Sequence, residues 1–232
     1  MAVTGPQQLV PRPAALGPDP EPLRTVTVIL AAGEGSRLGS RGKALVSVHG
    51  RTLMQRAVQA ATDAGTVPLL VLGHRAEEAL AVLDEAVALG EASAIAPEVV
   101  VCPNWHRGLS ASFRTGIQAA RDRRADRVAV VLVDQPGIGA EALRRVLDAH
   151  RPGRVARGVV QGRPTHPVVF EIRAALDAAA AAQQDEGARA YLRDHPELLD
   201  AIDLTDCAEA ADIDTPEDLL RWRAAQAPEI SD

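Results

Sequence analysis

The sequence predicts a single domain of three layers, α/β/α, in which helices cover both faces of a mostly parallel mixed sheet of about seven strands. Three observations predict it. Short apolar runs alternate with amphipathic stretches along most of the chain, the first run passes straight into a glycine-rich segment, and a later all-apolar run ends on a carboxylate. At 232 residues and 47% hydrophobic composition the chain can bury one substantial core, and nothing in it divides that core in two.

Residues 1–24 carry Pro6, Pro11, Pro13, Pro18, Pro20 and Pro22 without apolar periodicity, so they read as an extended or disordered tail; 227–232 read as a second, short one. The domain is expected over 25–226. Its strands are the short apolar runs at 25–31, 68–73, 99–102, 128–133, 155–160, 167–170 and 201–204. Its helices are the amphipathic stretches at 52–64, 76–87, 112–123, 140–150, 173–182, 187–193 and 215–226. The last has the clearest start: Thr215 offers a capping hydroxyl, Pro216 sits in the first turn, and Glu217 and Asp218 are early acids. No internal repeat is apparent.

A net charge of -6 argues against a nucleic-acid surface, which needs clustered excess cation, and the triplet Arg121, Arg123, Arg124 reads as a solvated helix end. Aromatic content of 2% removes the stacking platform that single-strand binders use. Cys102 and Cys207 form neither a metal spacing nor a disulfide framework and suit a reduced compartment. With no basic, apolar leader and no run long enough to span a bilayer, the expectation is a cytoplasmic protein acting on small molecules, with no nucleic-acid or membrane partner.

Lys43 is the only lysine; every other fixed cation is arginine, so this position calls for a compact point charge. It closes the segment Leu30, Ala31, Ala32, Gly33, Glu34, Gly35, Ser36, Arg37, Leu38, Gly39, Ser40, Arg41, Gly42, Lys43, which follows the apolar Val26, Val28 and Ile29. Strand, glycine turn and cation form the arrangement in which backbone N–H groups and a helix N-terminus hold phosphate oxygens. A Walker loop would need glycine where Arg37 stands and a hydroxyl where Ala44 stands. In the dinucleotide fingerprint the third glycine would come one residue earlier than Gly39, which disfavours a nicotinamide cofactor.

In such a sheet, ligands collect beyond the carboxyl ends of the strands. The second strand delivers Gly73 and His74 there, the third Asn104 to Gly108, and the fourth Asp134, Gln135 and Pro136. Asp134 follows the apolar run 128–133, and facing a phosphate loop it would hold Mg2+, which binds through one or two carboxylates plus phosphate oxygens. The alternative is a capping or turn-forming acid before Pro136. Asp212 and Asp214, between the last strand and the last helix, offer a partner acid, or else only favourable charge at a helix start.

Taken in order, these residues resemble the molybdenum cofactor cytidylyltransferase family, relatives of the molybdenum cofactor guanylyltransferases, within the MobA-like NTP transferase superfamily. The resemblance covers nearly all of 25–224. Its most specific parts are the loop to Lys43, Gly108-Leu109-Ser110-Ala111-Ser112, Asp134-Gln135-Pro136, Gly162-Arg163-Pro164-Thr165-His166-Pro167, Asp185-Glu186-Gly187-Ala188-Arg189 and 212–218. It implies a Rossmann-like fold and a nucleoside triphosphate, CTP, as substrate. The loop residues with Arg37, Lys43, Gly73 and His74 would bind that nucleotide, and Asp134 and Asp214 would hold Mg2+. It further implies an acceptor side built from Gly108, Ser110, Ser112, His166, Gly187 and Arg189, and a transient contact with a molybdoenzyme or its chaperone; oligomeric state stays open. Ser110 and Ser112 equally fit an N-cap, Ser112 more so, and His166 equally fits a turn residue. Three positions depart from the family pattern: Cys102 stands for an asparagine, and Thr165 and Gln184 stand for glycines.

The implied reaction is attack by a terminal phosphate of the acceptor on the α-phosphate of the triphosphate, with Lys43, Arg37 and Asp134 as the catalytic residues. An anionic nucleophile needs no general base, so positioning and charge stabilisation suffice. Some proteins resembling this family are assigned as nicotinamide-dependent reductases of pigment-like heterocycles, which supplies a second reading. A third is a serine hydrolase using Ser110, Asp134 and His166, although the closing glycine of a nucleophile elbow is missing. A non-catalytic nucleotide-binding module is the last, and it requires Asp134 and Asp214 to lie too far apart to share a metal.

Overall fold

A computed structural model describes residues 23–88 and 96–225. The expected tails fall outside the described residues over 1–22 and 227–232, as does position 226 of the last helix.

The chain runs β1 (Thr25–Leu30), β2 (Ser47–Val48), β3 (Arg51–Thr52), α1 (Leu53–Asp63), β4 (Val67–Leu72), α2 (Ala76–Ala88), β5 (Glu98–Val101), α3 (Leu109–Asp122), β6 (Arg127–Leu132) and α4 (Ala140–Ala149). It continues through β7 (Val155–Val160), β8 (Arg163–Glu171), α5 (Ile172–Ala181), α6 (Arg189–Asp194), β9 (Leu199–Asp203) and α7 (Pro216–Ala225). Seven strands form one sheet in the order β5-β4-β1-β6-β8-β7-β9, in which only β8 runs antiparallel to its neighbours. The expected three-layer, mostly parallel mixed sheet is the observed one.

The central strands read as continuous apolar runs because both of their faces are covered. From β1 and the residue that follows it, Ile29 and Ala31 join the core beneath α1, α2, α4 and α7, while Val26, Val28 and Leu30 join the core beneath α3, α5 and α6. β6 divides in the same way, Ala129 and Val131 to one side and Val128 and Val130 to the other. The strand period of two thus builds both cores from one run of residues.

Two expected boundaries, those of β8 and α3, are corrected, and one short hairpin is added. β2 and β3 form a separate antiparallel hairpin that is too short to leave an apolar signature. β8 begins at Arg163, well before the expected 167, because Gln161 and Gly162 both hold positive φ and close a two-residue hairpin that pairs Val160 with Arg163. Pro167 is accommodated beside a register shift between Arg157 and Val159 on β7, where the ladder does not demand its missing N–H. α3 begins at Leu109 with Gly108 as its N-cap residue, so Ser110 and Ser112 lie inside the first turn and neither caps it.

Candidate active site

The glycine loop folds back on itself. Lys43 donates its N–H to the Gly33 carbonyl at 3.1 Å, Gly42 to Glu34 at 2.9 Å and Ser40 to Gly35 at 3.1 Å, so both ends of the loop meet at the carboxyl end of β1. Gly35 takes φ 65°, and a Cβ there would stand 3.2 Å from Lys43 Cγ. Glycine therefore provides both the turn and the bed on which the lysine stem lies. The loop leads into 3-10 turns at Ser36–Leu38 and Lys43–Leu45, and the next α-helix starts only at Leu53. This corrects the expectation of a helix N-terminus at the loop's end: phosphate binding here would rest on the loop and its cations.

Asp134 lies just beyond β6, and its carbonyl accepts the N–H of Ile213 at 2.8 Å. Asp214 is thereby set opposite Asp134 and steadied by the start of α7, where Thr215 and Asp218 cap each other: Thr215 N–H to Asp218 Oδ2 at 2.8 Å, and Asp218 N–H to Thr215 Oγ1 at 3.2 Å. The Lys43 ammonium stands between the two acids. It donates to Asp134 Oδ2 and, at 2.5 Å, to Asp214 Oδ1. Burial alone would lower the lysine pKa, but the charge and hydrogen bond of Asp134, then those of Asp214, outweigh it and raise the pKa.

These three groups face one cleft of about 850 Å3, lined also by Gly33, Arg37 and Ser112. A neighbouring pocket of about 90 Å3 continues from it, with Leu30, Leu109, Leu132 and Arg189 lining both. Its polar centre is Gln135. The amide donates from Nε2 to Asp212 Oδ1 at 2.8 Å and accepts at Oε1 from His166 Nδ1 at 3.0 Å, which assigns the Nδ1–H tautomer. Burial, reinforced by the charges of Arg157 and Arg189, pushes His166 down to about 3, so its ring is neutral at ordinary pH. Burial raises Asp212 above the usual carboxylate range, opposed by the Gln135 hydrogen bond and assisted by the charges of Asp134 and Asp214.

Leu30, Ala32, Gly33, Glu34, Arg37 and Lys43 line the cleft, as do Gly108, Ser112, Asp134, Arg189 and Asp214. Gly187 and His166 line the adjoining pocket. Other expected site residues support the site from behind. Ala31 is core, Ser36 opens the first 3-10 turn, Gly73 is pressed between Ala32 and Trp105, and His74 stacks edge-on to Trp105 while its Nε2 bonds the Ser40 carbonyl at 3.1 Å. Ser110 is buried, its hydroxyl accepting from Arg114 at 3.2 Å. With Ser110 on Arg114, Asp134 on Lys43 and His166 on Gln135, no serine–histidine–acid relay is assembled.

Gly108, at φ 93°, has no room for a side chain, because a Cβ would fall 2.4 Å from Asp185 Oδ1 and 2.8 Å from the Gln184 carbonyl. Asp185 in turn accepts the N–H of Leu109 at 3.1 Å, so the 184–189 turn is pinned to the start of α3. Gln184 itself holds φ 44°, a left-handed conformation that explains why glycine suits this position in the family pattern. Cys102 is a core residue, 1% exposed. The site residues that sequence reasoning missed are Gln135, Asp185 and Arg157; a lone arginine inside the apolar run 155–160 was the available signal for Arg157.

The donor set fits a hard divalent cation. Asp134 Oδ1 is buried without a hydrogen-bond partner among the described residues, and the other oxygen, Oδ2, shares the Lys43 ammonium with Asp214 Oδ1. Among the described residues no group of three or more His, Cys, Asp or Glu could hold a metal; Mg2+ commonly takes one or two carboxylates together with phosphate oxygens and water.

A Rossmann-like α/β/α sheet with a glycine loop and an acid pair at its carboxyl edge defines a domain of the nucleotidyltransferase fold. The chain belongs to the family of MobA-like NTP transferase domains, which matches residues 27–199. It is 34% identical over 202 residues to nicotine blue oxidoreductase of Paenarthrobacter nicotinovorans, spanning 84% of this chain and 94% of that protein. It is 32% identical over 128 residues to a probable molybdenum cofactor guanylyltransferase of Opitutus terrae, spanning 55% of this chain and 56% of that one. A nucleotidyl transferase structure from Methanothermobacter superposes with a TM-score of 0.73 at 22% identity, covering 87% of this chain and 97% of that one, a likeness of fold.

Proposed function

We propose that this protein is a Mg2+-dependent nucleotidyltransferase that moves a cytidylyl group from CTP to a phosphorylated acceptor of the molybdenum cofactor class and releases pyrophosphate. The observation that carries this reading is the convergence of Lys43, Asp134 and Asp214 at the mouth of the glycine loop. The loop with Arg37 and Lys43 binds the triphosphate, and the pocket around Gln135, His166 and Arg189 takes the acceptor. Arg189, which lines both cavities, lies where the two substrates would meet.

An anionic acceptor oxygen forms a bond to the α-phosphorus while the bond to the β-phosphate oxygen breaks, and the electron pair leaves with pyrophosphate. No proton needs to be removed from the nucleophile. Lys43 stabilises charge on the α-phosphate, and Arg37 offers a planar fork to the departing phosphates. Asp134 and Asp214 would hold Mg2+, which would supply further neutralisation of phosphate charge. The neutral His166 and the Gln135 amide orient the acceptor without repelling the positive groups around it.

Pyrophosphate release from CTP in the presence of Mg2+ and molybdopterin-type acceptor tests this: the wild type turns over, and Lys43→Ala folds but loses the release. Full turnover by Lys43→Ala contradicts the mechanism. The 34% identity to nicotine blue oxidoreductase supports a second reading, reduction of a heterocycle by a nicotinamide cofactor, which leaves the Lys43 cluster without a chemical task. Metal-independent, saturable NADPH binding would favour it. No described helix is long and apolar enough to cross a membrane; we place the protein in the cytoplasm, where a molybdoenzyme or its chaperone would meet it transiently.

A further inference from the structure

We propose that Lys43 is a built-in competitor for the divalent cation: its ammonium holds Asp134 and Asp214 until a triphosphate draws it away, so metal enters together with nucleotide. This rests on the transferase reading of the site. One ammonium contacts one oxygen of each acid, Asp134 Oδ2 and Asp214 Oδ1, and so engages the same two carboxylates that would hold the ion. Two carboxylates carry two negative charges. An ammonium and a divalent ion together would place three positive charges against them in a partly buried site, so the two cations exclude each other unless phosphate brings more negative charge.

The loop gives the ammonium somewhere to go. Added Cβ atoms would come 3.7 Å from Lys43 Cδ at Gly33 and 3.2 Å from Lys43 Cγ at Gly35, so glycine at both positions lets the lysine stem lie on bare backbone at the floor of the loop. Gly33, Arg37 and Lys43 line the same cleft as the two acids, so an ammonium drawn off the acids by a triphosphate stays within that cleft. The buried Asp134 Oδ1 has no hydrogen-bond partner among the described residues, so the ammonium satisfies the acid only in part.

Mn2+ binding to the full chain, read by the electron paramagnetic resonance of free Mn2+, tests this. The wild type should bind Mn2+ alone weakly and about tenfold or more tightly once CTP is present; Lys43→Met should bind Mn2+ alone about tenfold tighter than wild type. Asp134→Asn in the Lys43→Met background should remove that gain. Wild type and Lys43→Met binding Mn2+ alone equally, while CTP still promotes Mn2+ binding to the wild type, overturns the competition and leaves the transferase reading standing. Absence of Mn2+ binding under every condition overturns both.

A measurement on the unaltered chain covers the case in which Lys43→Met misfolds. As the only lysine, Lys43 gives a single side-chain resonance in protein labelled with 15N at lysine Nζ. That resonance should stay in place on adding Mg2+ and move when CTP joins it. An equal shift with Mg2+ alone overturns the proposal.

Discussion

Ile213 donates its backbone N–H to the carbonyl of Asp134 at 2.8 Å, and through this bond the loop after β6 and the segment before α7 are held in register. Each carries one acid of the proposed metal pair. The bond explains how residues so far apart in sequence face one lysine: the backbone aligns the two segments, and the carboxylates follow.

Asp214 depends also on the cap that succeeds it. Thr215→Ala removes the hydroxyl that accepts from Asp218 N–H and donates to Asp218 Oδ2. Loss of an N-cap hydroxyl costs about 1 kcal/mol, and Thr215→Ser should recover most of it. Urea unfolding should show that loss, and Mg2+-dependent nucleotide affinity should fall with it, because Asp214 precedes the cap directly. Unchanged stability in Thr215→Ala would show that α7 does not rely on this cap.

Gly108→Ala should be damaging for a reason specific to its surroundings. The new Cβ would collide with Asp185 Oδ1 and the Gln184 carbonyl at a positive φ, so the 184–189 turn must move away from α3. A cost of about 1–3 kcal/mol is expected from overpacking and strain. Activity should fall through a raised KM for the acceptor, since that turn lines the pocket proposed to take it. A variant as stable and active as wild type contradicts this packing.

The His166 imidazole gives stability a pH dependence of definite sign. It titrates at 6.5 when unperturbed and at about 3 in the fold, lowered by burial, then by Arg157 and Arg189. Between those values the unfolded chain binds a proton that the folded chain refuses, so stability is lost as pH falls from about 6.5 toward about 3. Chemical denaturation across that window should show the wild type losing more stability than His166→Gln. Arg157→Gln removes a like charge and should raise the His166 titration followed by NMR. Parallel pH profiles for wild type and His166→Gln would contradict the buried neutral ring.

What could be read in advance follows from what each residue leaves in the sequence. Val155 to Val160 is apolar and flanked by turn residues, and β7 occupies that run; Arg163 to His166 is polar and proline-rich, so the first half of β8 left no strand signal although a tight turn makes it one. Lys43 was legible because it is the only lysine, and Asp134 because an acid ends an apolar strand. Asp214 could be picked out by its place before a strong cap, but its approach to Lys43 depends on the Ile213 bond, which no local pattern encodes. Gln135 was missed as a site residue because an uncharged amide stands out only once Asp212 and His166 are seen on either side of it.

The central claim is that Lys43, Asp134 and Asp214 belong to one triphosphate site. Thermal shift with CTP, GTP, ATP, UTP and NADPH, each with and without Mg2+, tests it most directly in the wild type and in Asp134→Asn. At about 100 times its Kd a ligand stabilises the fold by about 2.7 kcal/mol, a readily measured rise in Tm. CTP should raise the Tm of the wild type only with Mg2+, and Asp134→Asn should lose the rise. A rise with NADPH in the absence of Mg2+, and none with any triphosphate, would contradict it.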